Sequence, residues 1–283
     1  MLDIVSCLLA ALPPLLGASR KQWESALERA APEFLSRRLI TLHARNDGAL
    51  VFSAHAQITL MDVIRDGFLG GTLQVHLSGR KVSHRVAVFD SLGRVTDIAS
   101  QSDVIRFLAV TPHAMGVLGN ATLDQLHMGH ARDGGVAQVT RSVPTVEALM
   151  FMTSRGVSSV AVVDDSGCLW GNLSASDLRG IAGSDLQLLA RPVEEFLSMS
   201  IPRRGGALVT VTADSTLRTA VCRLAASHVH RVYMVDKAGR PVGIITCTDV
   251  LAALLQGDQL EGASVIAARM VVGAPRPVHR GPV

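Results

Sequence analysis

Three stretches of the chain repeat one alternation of apolar and polar positions. VAVFD (Val86–Asp90), VAVVD (Val160–Asp164) and VYMVD (Val232–Asp236) are short β-rich apolar runs closed by an acid, the pattern of a buried strand. Three residues after each acid stands Gly93, Gly167 or Gly239, which predicts a tight turn with the glycine at φ > 0. A second short run follows in each: VTDIAS, LWGNLS and PVGIIT. Next, S/T-x-S/T-D opens a helical run: DVIRFL, DLRGI and DVLAALL. Upstream lies an amphipathic helix, clearest where Leu217, Ala220, Val221 and Leu224 follow i, i+3, i+4, i+7 spacing. Ala148, Leu149 and Met152 hold the corresponding places in the middle repeat. Leu60, Val63 and Ile64 do so in the first, where extra residues around GGTLQVHLSGR lengthen the connection.

The three frames align without a gap. A second acid comes thirteen residues after the first, at Asp103, Asp177 and Asp249. Hydroxyls stand three residues before it (Ser100, Ser174, Thr246) and one before it (Ser102, Ser176, Thr248). Each unit reads as helix, strand, turn, strand, helix, an α/β (α+β) design. A unit of roughly 50–60 residues buries too little surface to stand alone, so units should pair face to face, with ligand sites in the clefts.

Composition trims the remaining function classes. The 283 residues are 48% hydrophobic, which excludes wholesale disorder. Ten aromatics, from Phe 7, Trp 2 and Tyr 1, are too few for a base-stacking platform. The net charge of +3 is scattered, so no polyanion groove is expected and neither nucleic acid nor a membrane is an expected partner. Cys7, Cys168, Cys222 and Cys247 form no C-x-x-C pair and read as reduced core thiols of an intracellular protein. MLDIVSCLLAALPP could pass for a signal-peptide core, but it carries Asp3, no Lys or Arg, and Pro13 and Pro14, so it reads as a core helix. No P-loop, H-E-x-x-H motif or nucleophile elbow occurs, and no metal site is expected.

The repeat resembles the cystathionine-β-synthase (CBS) motif, and its succession here resembles the gamma subunit of AMP-activated protein kinase, of the plant gamma-like type. The residues that carry the likeness are His84-Arg85-Val86 and His230-Arg231-Val232 in the second and fourth motifs, Val157-Ser158 in the third, and LSASDLRGI. MLDIVSCLL resembles the end of a first motif, with Asp3 in the place of the second acid. The resemblance implies tandem CBS domains forming two Bateman modules in a disc-like arrangement. It divides the chain into a remnant of motif 1 with a helical linker (1–48), motif 2 (49–112), motif 3 (136–184), motif 4 (206–256) and a flexible tail (257–283).

Site residues are weighed on the same residues. Alone, S/T-x-x-D is a helix capping box. In a CBS frame, the resemblance gives Asp103, Asp177 and Asp249 to ribose hydroxyls. Ser100, Ser174, Ser176, Thr246 and Thr248 then face phosphate with the helix N-termini. Alone, His-Arg is a solvated strand end. In the family, His84, Arg85, His230 and Arg231 surround phosphates, where the guanidinium fork and imidazole suit the chemistry. Thr140, Arg141 and Thr212, on or just after the runs before each helix, are further candidates for adenine or phosphate contacts, although Arg141 alone reads as an exposed surface residue. Asp103 departs from the mammalian-type pattern, which has a basic residue there. The expected function is a non-catalytic energy sensor. It would bind AMP, ADP or ATP as ligands, use no cofactor, and engage a protein kinase catalytic subunit and a beta-type scaffold subunit in the cytoplasm, with the nucleus as a further location. The alternatives are a stand-alone CBS protein, which binds another adenosyl ligand or acts as an interaction scaffold, and an enzyme with a CBS appendage, for which the repeats leave no room.

Overall fold

Each predicted hairpin forms, and each gains a third strand. In the computed structural model the described residues are 2–13, 15–36, 53–55, 58–70, 82–129, 135–179, 181, 183–200 and 208–260. The hairpins are β2–β3 (Arg85–Phe89, Val95–Ser100), β5–β6 (Ser159–Val163, Leu169–Ser174) and β8–β9 (Arg231–Val235, Pro241–Thr246). A short strand lies parallel to the first strand of each: β1 (Ser53–His55) on β2, β4 (Gln138–Thr140) on β5, and β7 (Thr210–Val211) on β8. The sheets are therefore β1-β2-β3, β4-β5-β6 and β7-β8-β9. The parallel step explains the helix upstream of each hairpin, because two parallel strands need a crossover between them.

The turns are built as their residues dictate. In the first, the Asp90 carboxylate accepts the Leu92 and Arg94 N–H groups, each at 2.9 Å, and Gly93 takes φ +75. These bonds, led by that from the Arg94 backbone, hold the Asp90 carboxyl below the usual carboxylate range. Asp164 and Asp236 accept from the equivalent amides, and Gly167 and Gly239 take φ +78 and +79.

The chain divides into two compact units that cut across the repeats. The first takes its described residues from 1–48, 123–215 and 227–245, and so holds the second sheet and the third sheet's strands up to Ile245. Its core joins Val5 and Leu8 of α1 (Leu2–Ala10), Trp23 and Leu27 of α2 (Arg20–Ser36), Leu149 and Met152 of α5 (Thr145–Ser154), and Phe196 of α6 (Val193–Ser200). The N-terminal segment is thus a core helix. Trp23 satisfies its indole N–H on the Glu147 carboxylate at 3.1 Å.

The second unit, from 49–122, 216–226 and 246–283, holds the first sheet. It also holds α3 (Leu60–Asp62), α4 (Gln101–Val110), α7 (Leu217–Ala226) and α8 (Cys247–Leu260). Buried Val104, Ile105 and Leu108 of α4, Ala220, Val221 and Leu224 of α7, and Val250, Leu251 and Leu254 of α8 form its helical core.

Four details differ from the sequence expectation. After Asp62 the first repeat's helix widens into a π-helical turn, Val63–Phe68. The run DLRGI does not make an α-helix: Ala175–Leu178 is one 3-10 turn, and Arg179 turns extended just before Gly180. α8 runs four residues past 256, to Leu260. Cys247 is a buried thiol, but Cys168 is only half-buried and Cys222 is exposed on α7, so these three, none of them in a disulfide, are not all core. The side chains of Asp3 and Cys7, the GGTLQVHLSGR insertion beyond Gly70, and residues 261–283 lie outside the described residues.

Candidate functional site

All three hydroxyl–acid pairs close capping boxes. In the second unit, the Ser100 N–H and Oγ donate to Asp103 Oδ2 at 2.8 and 2.6 Å. The Thr246 N–H and Oγ1 donate to Asp249 Oδ2 at 2.8 and 2.7 Å. In the first unit, the Ser174 N–H and Oγ donate to Asp177 Oδ2 at 2.7 and 2.9 Å, and Ser174 Oγ stands 2.7 Å from Ser176 Oγ. The local structural reading of S/T-x-x-D is therefore met at every repeat, and each box fixes one carboxylate oxygen at a helix start. The boxes differ at the other oxygen. Asp103 Oδ1 takes the Arg106 guanidinium one turn on, whereas the described bonds of Asp249 fall on Oδ2.

Asp103 titrates below the usual carboxylate range: burial opposes this, but the Ser100 bonds and the Arg106 charge outweigh it. A carboxyl with a depressed folded-state pKa stabilises the fold above its unfolded value and loses that contribution as pH falls through the folded value. Asp103→Asn is accordingly expected to lower stability near neutrality and to flatten the acid limb of the stability profile. Urea midpoints of the two proteins, measured from neutral to acid pH, should converge as the carboxyl protonates.

The second unit brings two repeats' caps together. The Thr248 hydroxyl donates to Gln101 Oε1 at 3.0 Å, Gln101 Nε2 donates to the Ser83 carbonyl at 3.0 Å, and the Gln101 N–H donates to the His84 carbonyl at 3.1 Å. Gln101 is 4% exposed and ties Thr248 to the strand end that carries exposed His84 and Arg85. Sequence reasoning did not single out Gln101. Its signal is that it fills the x of S-x-S-D, where the other repeats have Ala175 and Cys247.

The first unit makes a related cradle. The Ala175 N–H donates to the Ser158 carbonyl at 3.0 Å, as Gln101 does to His84, so Ser158 abuts the Ser174–Asp177 turn. Arg231 reaches across from the next repeat, its Nη2 donating to Ser158 Oγ at 3.1 Å. Arg231 thus bonds the hydroxyl of the residue whose carbonyl receives the first N–H of the Ser174–Asp177 turn. On the same strand as Arg231, the buried Tyr233 hydroxyl donates to Asn172 Oδ1 at 2.8 Å, and burial pushes its pKa up to about 12 against the pull of Arg231. His230 is exposed at the head of β8.

Three candidates serve their own neighbourhood. Arg141 pairs with Asp165 at 3.3 Å and Glu194 at 3.5 Å. Thr140 stands 3.3 Å from Ser142 Oγ, and Thr212 bonds Ser215 in a turn. Among the described residues no group of three His, Cys, Asp or Glu could hold a metal ion, and no helix is long and apolar enough to cross a membrane.

Residues 135–183 and 199–256 match the CBS domain family. Protein SDS23 of Podospora anserina is 31% identical over 166 residues, which cover 55% of this chain and 32% of that protein. The 5'-AMP-activated protein kinase subunit gamma of Saccharomyces cerevisiae is 32% identical over 117 residues, covering 41% of this chain and 36% of the subunit. The chain therefore spans about a third of the length of these relatives. Among solved structures, protein MJ1225 of Methanocaldococcus jannaschii shares the fold with a TM-score of 0.52 at 17% identity, covering 88% of this chain and 81% of that one.

Proposed function

We propose that the chain is a non-catalytic regulatory protein that binds adenine nucleotides, AMP, ADP and ATP in competition, and passes their occupancy to a protein kinase catalytic subunit and a beta-type scaffold. The observation that carries the reading is the delivery of Arg231 to Ser158 beside the Ser174–Asp177 turn. An acid that accepts from ribose, hydroxyls and backbone N–H groups that donate to phosphate, and a guanidinium fork are the groups a nucleoside monophosphate needs. The same acid and hydroxyls recur in the second unit, at Asp249 with Thr246 and Thr248 and at Asp103 with Ser100, beside His84 and Arg85. Similarity to the yeast gamma subunit supports the nucleotide and the kinase partner. Regulation then requires only that AMP and ATP favour different states of the chain by about 1–3 kcal/mol.

Ligand binding to the folded state raises its stability, by about 2.7 kcal/mol at a hundredfold excess over Kd. Millimolar AMP is therefore expected to raise the melting temperature by several degrees, with ADP and ATP acting in competition. No shift with any adenine nucleotide would overturn the reading.

A second reading, a CBS protein that serves a partner other than a kinase, is favoured by the wider match to Protein SDS23, which covers 55% of the chain against 41% for the gamma subunit. Affinity capture with the tagged chain separates the two: recovery of a kinase catalytic subunit supports the first reading, and its consistent absence supports the second.

A further inference from the structure

The hydroxyl one residue before the second acid is engaged differently in the two units. In the first unit, Ser176 Oγ lies 2.7 Å from Ser174 Oγ, whose own proton goes to Asp177 Oδ2. That contact stays within one cap. If Ser176 turns away, Ser174 remains bonded to the acid. In the second unit, Thr248 Oγ1 donates to Gln101 Oε1 at 3.0 Å, from one repeat to another. The direction of this bond follows from its surroundings. The Ser83 carbonyl, 3.0 Å from Gln101 Nε2, can only accept, so the amide nitrogen faces Ser83 and the amide oxygen faces Thr248. A hydroxyl has one proton, and that of Thr248 is given to Gln101.

Gln101 does not release that proton without penalty. Its side chain is 4% exposed, so water does not take the place of Thr248 at Oε1. A buried acceptor left without a donor carries its desolvation uncompensated. Thr248 itself is half-buried at the second position of α8. A phosphate at this helix start would offer lone pairs only and so would need donors. The Thr248 hydroxyl can donate to such a phosphate or to Gln101, not to both.

We propose that Gln101 is the positioning residue that sets phosphate affinity at the Thr246–Asp249 cap, because it holds the Thr248 proton that a phosphate must take away. The proposal rests on the nucleotide reading above, which gives Thr248 to phosphate, and adds that this contact is held back by a residue of another repeat. AMP meets the penalty and adenosine does not. The device belongs to this unit, since Ala175 and Cys247 fill the matching places and have no side-chain amide. When Thr248 turns to phosphate, the Gln101 amide keeps only its bond to the Ser83 carbonyl, next to His84 and Arg85. Ligand at the fourth repeat's cap is thereby felt at the strand end of the second.

Nuclear magnetic resonance titration of the isotope-labelled full chain tests the proposal, with affinity read from the Thr248 backbone amide so that this cap alone is followed. Gln101→Met keeps the side chain's length and removes the acceptor. It is expected to tighten AMP about 3- to 10-fold and to change adenosine by less than about twofold. A loss of packing alone would move both ligands together. In the Thr248→Val background the same substitution should bring AMP no gain, because no proton remains to be freed. A second measurement needs no substitution at 101: in the wild-type chain the Gln101 side-chain amide resonances should shift with AMP and hold their place with adenosine. Unchanged AMP affinity in Gln101→Met, an equal gain for adenosine, a gain that persists with Thr248→Val, or a Gln101 amide indifferent to AMP each overturns the proposal and leaves the nucleotide reading standing. A Thr248 amide that does not respond to AMP in the wild-type chain overturns the placement of phosphate at this cap, and the proposal with it.

Discussion

Asp249→Ala is expected to weaken AMP binding about 10- to 100-fold, the loss that removing charge-assisted hydrogen bonds of about 1.5–3 kcal/mol produces. The described bonds of Asp249 converge on Oδ2, from the Thr246 N–H and Oγ1. On the proposed reading, its other oxygen addresses the ribose. Removing the carboxylate also opens the cap, which costs about 0.5–1.5 kcal/mol, so the unliganded variant should melt only a few degrees lower. Asp249→Asn separates the two effects: it keeps an acceptor for Thr246 and loses the charge. Calorimetric titration should therefore rank wild type above Asn above Ala for AMP, while unliganded melting temperatures of wild type and Asn stay close. Unchanged affinity in both variants would make Asp249 a capping residue only. Arg231→Met adds the complementary arm, because its guanidinium stands beside Ser158 Oγ. It should weaken AMP far more than adenosine, and equal losses for both would assign it a packing role.

The same residues show what a sequence discloses. The D-x-x-G turns and S/T-x-S/T-D caps are legible because each is a local hydrogen-bonded device: Asp90 bonds amides within four residues, and Asp103 bonds Ser100 three residues back. Partners fixed by tertiary packing are not. Nothing in the spacing joins Gln101 to Thr248, 147 residues away, or Arg231 to Ser158, 73 residues away. The parallel strands β1, β4 and β7 are two or three residues long, too short for periodicity to register. The repeat frame also suggests that each repeat packs as one block. Instead, the fourth repeat gives its strands up to Ile245 to one unit and its helices α7 and α8 to the other. Helix α8 is apolar enough to be buried among α4 and α7, and that burial decides its unit.

That junction makes Gly243→Ala the most damaging small substitution in β9. Gly243 is buried, and a Cβ on it would stand 1.8 Å from the Gly129 carbonyl oxygen and 2.8 Å from Met234 Cε. The Gly129 contact is to backbone, so no side-chain rotation relieves it. The same carbonyl accepts the Ile244 N–H at 3.1 Å, and the loop behind it is closed by the Met128 N–H on the Leu123 carbonyl at 2.9 Å. A methyl group at 243 must therefore push the 123–129 loop off the strand and break that hydrogen bond. Overpacking costs about 1–3 kcal/mol and the lost bond about 0.5–1.5 kcal/mol. Together these predict a fall in melting temperature of roughly 5–15 °C for a chain of this size. Gly93→Ala is the internal comparison: its added Cβ meets nothing within 4 Å, so only the cost of φ +75 remains, about 1–2 kcal/mol. Thermal melts should rank wild type above Gly93→Ala above Gly243→Ala. The larger loss should also reach the site, because Thr246 and its box with Asp249 begin three residues downstream. Gly243→Ala is thus expected to lose AMP affinity even below its melting transition, whereas Gly93→Ala retains it. A Gly243→Ala protein that melts and binds like wild type would show that the loop yields without cost, and that β9 does not fix the Thr246–Asp249 cap.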